Sequence, residues 1–193
     1  MKKTTTLFAT ALFLFSAISV FAREARLVRY PHYHNGRIVF TYLGDIWTAD
    51  ENGQNVQRLT VNRARDVYGR FSPDGKWIAY TSEETPGRAE IYLRRFPSDG
   101  RKWRVSDKGG SLPRWRHDQR ELMYVAPNGT LTVVSSVTTE RDVQLTTPTP
   151  LWTLPGTFDV ARDGKQFLVL RPVAEREASP MVVVTNWPAI VGQ

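Results

Sequence analysis

A chain of 193 residues with 41% hydrophobic and 11% aromatic residues has the composition of one folded domain, suited to a packed core rather than to a disordered tail. It contains no cysteine, which excludes disulfides, thiolate nucleophiles, iron–sulfur clusters and cysteine-ligated zinc. Lys and Arg number 26 against 19 Asp and Glu, a formal charge of +7.

The first 22 residues read as a cleaved signal peptide. Lys2 and Lys3 are followed by an apolar run from Leu7 to Phe21, interrupted only by small hydroxyl residues, and Val20-Phe21-Ala22 precedes Arg23 and Glu24. The apolar run is short for a membrane-spanning helix, and the small residues before Arg23 suit a peptidase pocket. Cleavage after Ala22 is expected, leaving 23–193 as the mature domain, periplasmic or secreted in a bacterium. Loss of Lys2 and Lys3 lowers its charge to +5. No later segment reaches 18 consecutive apolar residues, so no membrane span is expected after cleavage.

Four stretches then repeat. HNGRIVFTY (34–42), SPDGKWIAYTS (72–82), RHDQRELMYVA (116–126) and ARDGKQFLVLR (161–171) each carry a polar tight turn, a basic or polar residue and a short apolar run. Their matched positions Ile38, Ile78, Leu122 and Phe167 lie 40, 44 and 45 residues apart, the spacing of one four-stranded propeller blade. The repeat near 27–62 predicts a first strand at Ile38, a second at Asp45 to Ala49 and a third around Arg58-Leu59. That near 67–106 predicts strands at Trp77 to Tyr80, Glu90 to Leu93 and Trp103 to Val105. The repeat near 109–153 predicts them at Leu122, Thr130 to Val134 and Leu151-Trp152, and that near 156–188 at Phe167 and Met181 to Val184.

Between the strands lie Asn35-Gly36, Asn52-Gly53, Asp74-Gly75, Asp99-Gly100, Asn128-Gly129 and Asp163-Gly164, dipeptides that tolerate positive φ in hairpin turns. With 12 prolines along the chain they leave little room for helices. Trp77 and Ala79 alternate with Ile78 and Tyr80, so this strand is apolar on both faces and should be sandwiched, as an inner strand of a propeller blade is. A β-sandwich would explain the strands but not the period. The expected fold class is all-β, a β-propeller of about four WD-like blades, closed or left as an open, partial ring.

The segment FSPDGKWIAYTS (71–82) followed by AEIYLRRFP (89–97) resembles the WD-like repeats of TolB-like and tricorn-type β-propellers. From Phe71 to Asn186-Trp187-Pro188 the chain resembles propellers attached to bacterial serine/threonine kinases, and YPHYHNGRIVFTYLGDIWTADENGQNVQRLT (30–60) is similar to the opening blade of tricorn-type peptidase and amidohydrolase propellers. The resemblance implies a propeller and not the chemistry of those catalytic domains. It also implies that Asp74, Gly75, Asp118, Asp163 and Gly164 are structural turn residues, the aspartates accepting backbone N–H groups. The third repeat reads His117-Asp118-Gln119, which places a non-glycine where the pattern has glycine and should strain the turn.

No set of catalytic residues is expected. There is no G-x-S-x-G elbow, and Gly109-Gly110-Ser111 lacks its spacing. His32 and His34 share one strand face and with His117 would supply three nitrogens, yet without a companion such as H-E-x-x-H they read as structural, and neither metal nor cofactor is expected. Asp50-Glu51-Asn52-Gly53 lacks the closing glutamate of a calcium loop, and Asn128-Gly129-Thr130 reads as a turn. Basic and aromatic residues interleave at Arg94, Arg95, Arg101, Lys102, Trp103 and Arg104 and again at Arg114, Trp115, Arg116 and Arg120. Export and a modest charge argue against nucleic acid; Arg94, Arg95, Arg114, Trp115 and Arg116 are the expected surface for a protein partner, on outer strands. The sequence therefore predicts a non-enzymatic, exported binding or scaffolding module with a capacity to self-associate. The alternative is the accessory propeller of a tricorn-type peptidase or amidohydrolase, separate from its catalytic domain.

Overall fold

Two-residue turns generate the architecture. The computed structural model describes residues 27–138, 142–161 and 166–170. Asn35-Gly36 joins β1 (Arg29–His34) to β2 (Arg37–Tyr42), with both turn residues at positive φ. Leu43-Gly44 repeats the device into β3 (Asp45–Asp50), and β4 (Gln57–Arg58) completes an antiparallel sheet in the order β1-β2-β3-β4. The second sheet has the same plan, β5 (Asp66–Phe71), β6 (Trp77–Ser82), β7 (Glu90–Arg95) and β8 (Lys102–Arg104). In the third, β9 (Ser111–Trp115) and β10 (Glu121–Val125) lead into a long β11 (Thr130–Thr138). The end of β11 pairs with β12 (Val143–Leu145) and its beginning with β13 (Thr149–Thr153). A fourth sheet comprises β14 (Phe158–Val160) and β15 (Phe167–Val169). All regular structure among the described residues is strand, so no helix there is long and apolar enough to cross a membrane.

One expectation needs correction. The strands holding Ile38, Ile78, Leu122 and Phe167 are the second of each sheet, not the first. Each follows a more polar strand, RYPHYH, DVYGRF, SLPRW or FDV, whose composition gives no apolar run. The segment 1–22, the Asp163-Gly164 turn and the strand expected at Met181 to Val184 lie outside the described residues.

Successive sheets pack face to face. Val39, Ile46 and Leu59 of the first meet Phe71, Ile78, Tyr80, Tyr92 and Phe96 of the second. On the other face of the second sheet, Trp77, Ala79, Ile91 and Leu93 meet Leu122, Tyr124 and Val134 of the third. Met123, Leu131 and Leu154 of the third meet Phe158 of β14. Every residue of β6 is buried, because its odd and even positions belong to different cores. Each large side chain so buried stabilises by about 1.5–3 kcal/mol. The sheets are also closed at their edges in a repeated way. The buried carboxylate of Asp45 pairs with Arg58, while Thr60 Oγ1 accepts the Ile46 N–H at 2.9 Å. Buried Glu90 pairs with Arg88 and accepts from Ser106, whose Oγ in turn accepts the Ile91 N–H at 2.8 Å.

Candidate functional site

The polar first strand of each of the first three sheets is bent by one residue. The pairing of β1, β5 and β9 with their neighbours shifts register once each, and the shifts coincide with non-glycine residues at positive φ: Tyr30 (53°), Tyr68 (59°) and Leu112 (57°). A bulge of this kind costs conformational strain and re-aims the side chains that follow it. Two residues on stand His32, Arg70 and Arg114, paired with Val39, Ala79 and Met123. Asp159, paired with Leu168, holds the equivalent register on β14. The four equivalent positions, one per sheet, line a single cavity of about 480 Å³ together with Pro31, His34, Phe71, Pro73, Trp115, His117, Val160 and Ala161.

The cavity is electrostatically uneven. Arg114 donates to Asp159 Oδ1 from Nε at 3.2 Å; its side chain is 17% exposed and that of Asp159 67%. The Arg114 guanidinium also stands over the Phe158 ring and donates to the Pro113 carbonyl. Arg70 donates to the carbonyls of Gly69 at 3.0 Å and Tyr30 at 3.4 Å, and no carboxylate of the described residues bonds to it. Burial, reinforced by the Arg114 charge, pulls Arg70 down to about 10. Burial also lowers Arg114, with Asp159 opposing. His32 is pulled down to about 4, first by burial and then by the charges of Arg70, His34 and Arg114. Its ring is therefore neutral near pH 7. Because Nδ1 accepts the Phe71 N–H at 3.2 Å, the proton of that neutral ring resides on Nε2.

His34 packs on the Asp74-Gly75 turn so closely that a Cβ on Gly75 would lie 2.9 Å from its Cδ2 and Nε2 atoms. In that turn Asp74 Oδ1 accepts from Lys76 N at 3.0 Å and Ser72 Oγ at 2.6 Å. Asp118 Oδ1 accepts from Arg120 N at 3.1 Å, and Gln119 takes the left-handed φ of 63° in place of glycine. The Gln119 side chain then crosses to the preceding sheet and accepts the Asp74 N–H at 3.2 Å. His32, His34 and His117 do line one cavity, but among the described residues no three His, Asp or Glu are grouped closely enough to hold a metal ion.

The five residues expected as one partner surface are dispersed. Arg94 bonds the Leu59 carbonyl and Ser98, tying the first two sheets together, and Arg95 pairs with Asp99. Arg116 pairs with Asp118 and Glu121. Only Arg114 and Trp115 line the cavity, on a first strand instead of an outer one. The set His32, Arg70, Arg114 and Asp159 escaped sequence reasoning, although a signal existed. Arg70, Arg114 and Asp159 each stand four residues before the turn aspartate of their repeat, Asp74, Asp118 and Asp163.

Four-bladed repetition of antiparallel sheets around a shared cavity defines a β-propeller. Over residues 25–180 the chain matches the family described as the tricorn protease N-terminal beta propeller domain, and it belongs to that family. It is 42% identical over 86 residues to "Putative tricorn protease homolog 2" of Streptomyces coelicolor, covering 44% of this chain and 7% of that protein. It is 32% identical over 114 residues to "Protein TolB homolog" of Chlorobaculum tepidum, covering 56% of this chain and 23% of that protein. The solved structure of putative TolB from Agrobacterium tumefaciens superposes with a TM-score of 0.52 at 20% identity, over 72% of this chain and 56% of that one, and shares the fold. The chain thus spans less than a quarter of these two curated relatives.

Proposed function

We propose that this chain is an exported, non-catalytic β-propeller module that binds a protein partner at its central cavity. The observation that carries the reading is the convergence of one residue per sheet, His32, Arg70, Arg114 and Asp159, on a single cavity rimmed by Pro31, Pro73 and His117. Variable side chains gathered by a rigid scaffold are how propellers present a binding surface. Relatives named "Protein TolB homolog" and "Tol-Pal system protein TolB" support a binding role, and the Lys2-Lys3 opening with its apolar run supports export. The test is photo-crosslinking in the intact cell envelope. A crosslinking residue at Pro73 should give a discrete protein adduct, and one at Arg104 on β8 should give none. Equal adducts from both positions, or retention of residues 1–22 in a membrane fraction, would overturn the reading.

A second reading has its own support in the identity to a putative tricorn protease homolog. In it the chain is the accessory propeller of a separately encoded peptidase. Peptidase activity co-purifying with the Pro73 adduct would select it.

A further inference from the structure

The four equivalent cavity positions do not balance in charge. Arg70 and Arg114 contribute two guanidinium groups, Asp159 one carboxylate, and His32 a neutral ring. Asp159 is committed to Arg114. Arg70 has only backbone carbonyls as hydrogen-bond partners among the described residues; of the charges that act on it, the like charge of Arg114 outweighs the opposing one of Asp159. Two cations taken out of water side by side with a single counter-charge are costly, and a bound anion between them removes most of that cost.

We infer that the cavity is a carboxylate-binding site in which Arg70 and Arg114 hold one carboxylate group, carried by an acidic side chain of a polypeptide or by a free organic acid. Charge count selects this class. The excess over the four positions is one positive charge, which one carboxylate neutralises and a phosphate dianion would overshoot. Geometry agrees with it. A guanidinium offers five N–H donors in a planar fork matched to two carboxylate oxygens, and Arg70 spends only one nitrogen, Nη1, on the described residues. His32 adds a neutral donor, since its acceptor nitrogen is occupied by Phe71 N–H. Trp115 and Phe71 stand beside the two guanidinium groups in the lining and pack on the cores behind it, which fixes the strands that carry Arg70 and Arg114. The inference rests on the binding role proposed above and specifies the group that the cavity takes.

The experiment titrates the full mature chain with acetyl-Gly-Ala-Glu-Ala-Gly-amide, its glutamine counterpart, sodium acetate and sodium phosphate, reading the Trp115 indole N–H signal by NMR. The glutamate peptide should shift that signal saturably and the glutamine peptide should not. Arg70→Gln should weaken binding at least tenfold, Arg114→Gln should weaken it as well, and Arg104→Gln should leave it unchanged, each variant first matched to wild type by its strand circular dichroism. Acetate binding as tightly as the peptide assigns the site to a free organic acid; a peptide preference assigns it to a polypeptide. Equal binding of the glutamine peptide, undiminished binding by folded Arg70→Gln and Arg114→Gln variants, or tighter binding of phosphate overturns the inference. If the Pro73 adduct survives in Arg70→Gln, the carboxylate site fails while the binding module stands. If no adduct forms in any variant, the module reading itself fails.

Discussion

Gly110 precedes β9, and a methyl group there would lie 2.5 Å from Cδ2 of Tyr124, inside the core between the second and third sheets. Gly110→Ala is expected to destabilise by about 1–3 kcal/mol, since neither a ring nor the backbone hydrogen-bonded to Ala89 can yield freely; urea melts of the two proteins measure it. His32 gives a prediction of a different kind. An unfolded histidine titrates near 6.5 and folded His32 at about 4, with Arg70, Arg114, His34 and Asp159 facing it. Between those values the unfolded chain binds a proton that the folded chain refuses, so stability is lost as pH falls from about 6.5 toward about 4. The loss at pH 5 is about 1–2 kcal/mol once allowance is made for the part of the ring that faces water. His32→Gln should flatten that part of the pH profile, and identical slopes for the two proteins between pH 7 and pH 5 would show that the imidazole is not the source.

At the scale of the strand, burial on both faces distinguishes β6 from a surface strand. Trp77, 1% exposed, stands edge-on to Trp103 and packs into the core against the third sheet, whereas Ile78, next to it, packs against the first. Trp77→Ala should therefore cost about 3–5 kcal/mol, and limited proteolysis should then find new cleavage in the third sheet before the first. Preferential cleavage within the first sheet would contradict the assignment of that face. These second strands were legible in the sequence because Trp77, Ile78, Ala79 and Tyr80 form a continuous apolar run that recurs with the blade period. The first strands were not, for a physical reason: Arg29–His34, Asp66–Phe71 and Ser111–Trp115 have one face on the cavity, which admits His32, Arg70 and Arg114, and each carries a bulge that breaks alternation. The cavity set was obscured with them. Interleaved arginines drew notice to Arg94 and Arg114 alike, although the first ties two sheets together and the second lines the cavity.

For the molecule as a whole, the outward faces of the first and fourth sheets set the behaviour. Leu168 and Leu170 on the fourth are 67% and 65% exposed, and Tyr33 and Leu43 on the first are 58% and 69% exposed. Apolar surface of this kind favours association with another chain. Light scattering at micromolar concentration should report a dimer that Leu168→Glu with Leu170→Glu returns to monomer, whereas a monomeric wild-type protein would refute the expectation. The bulged first strands have a consequence of another sort. At Tyr68 to Phe71 and Leu112 to Trp115 the bulge separates two tasks along one strand: Phe71 and Trp115 pack on the apolar cores, and Arg70 and Arg114, between them and the bulge, line the cavity. The side chains that can meet a ligand are thereby set beside the apolar packing of the same strand. His32, Arg70, Arg114 and Asp159 are one position of the repeat written four ways, so that rewriting Asp159, the most exposed of them, should change the charge the cavity accepts at the least cost to the frame.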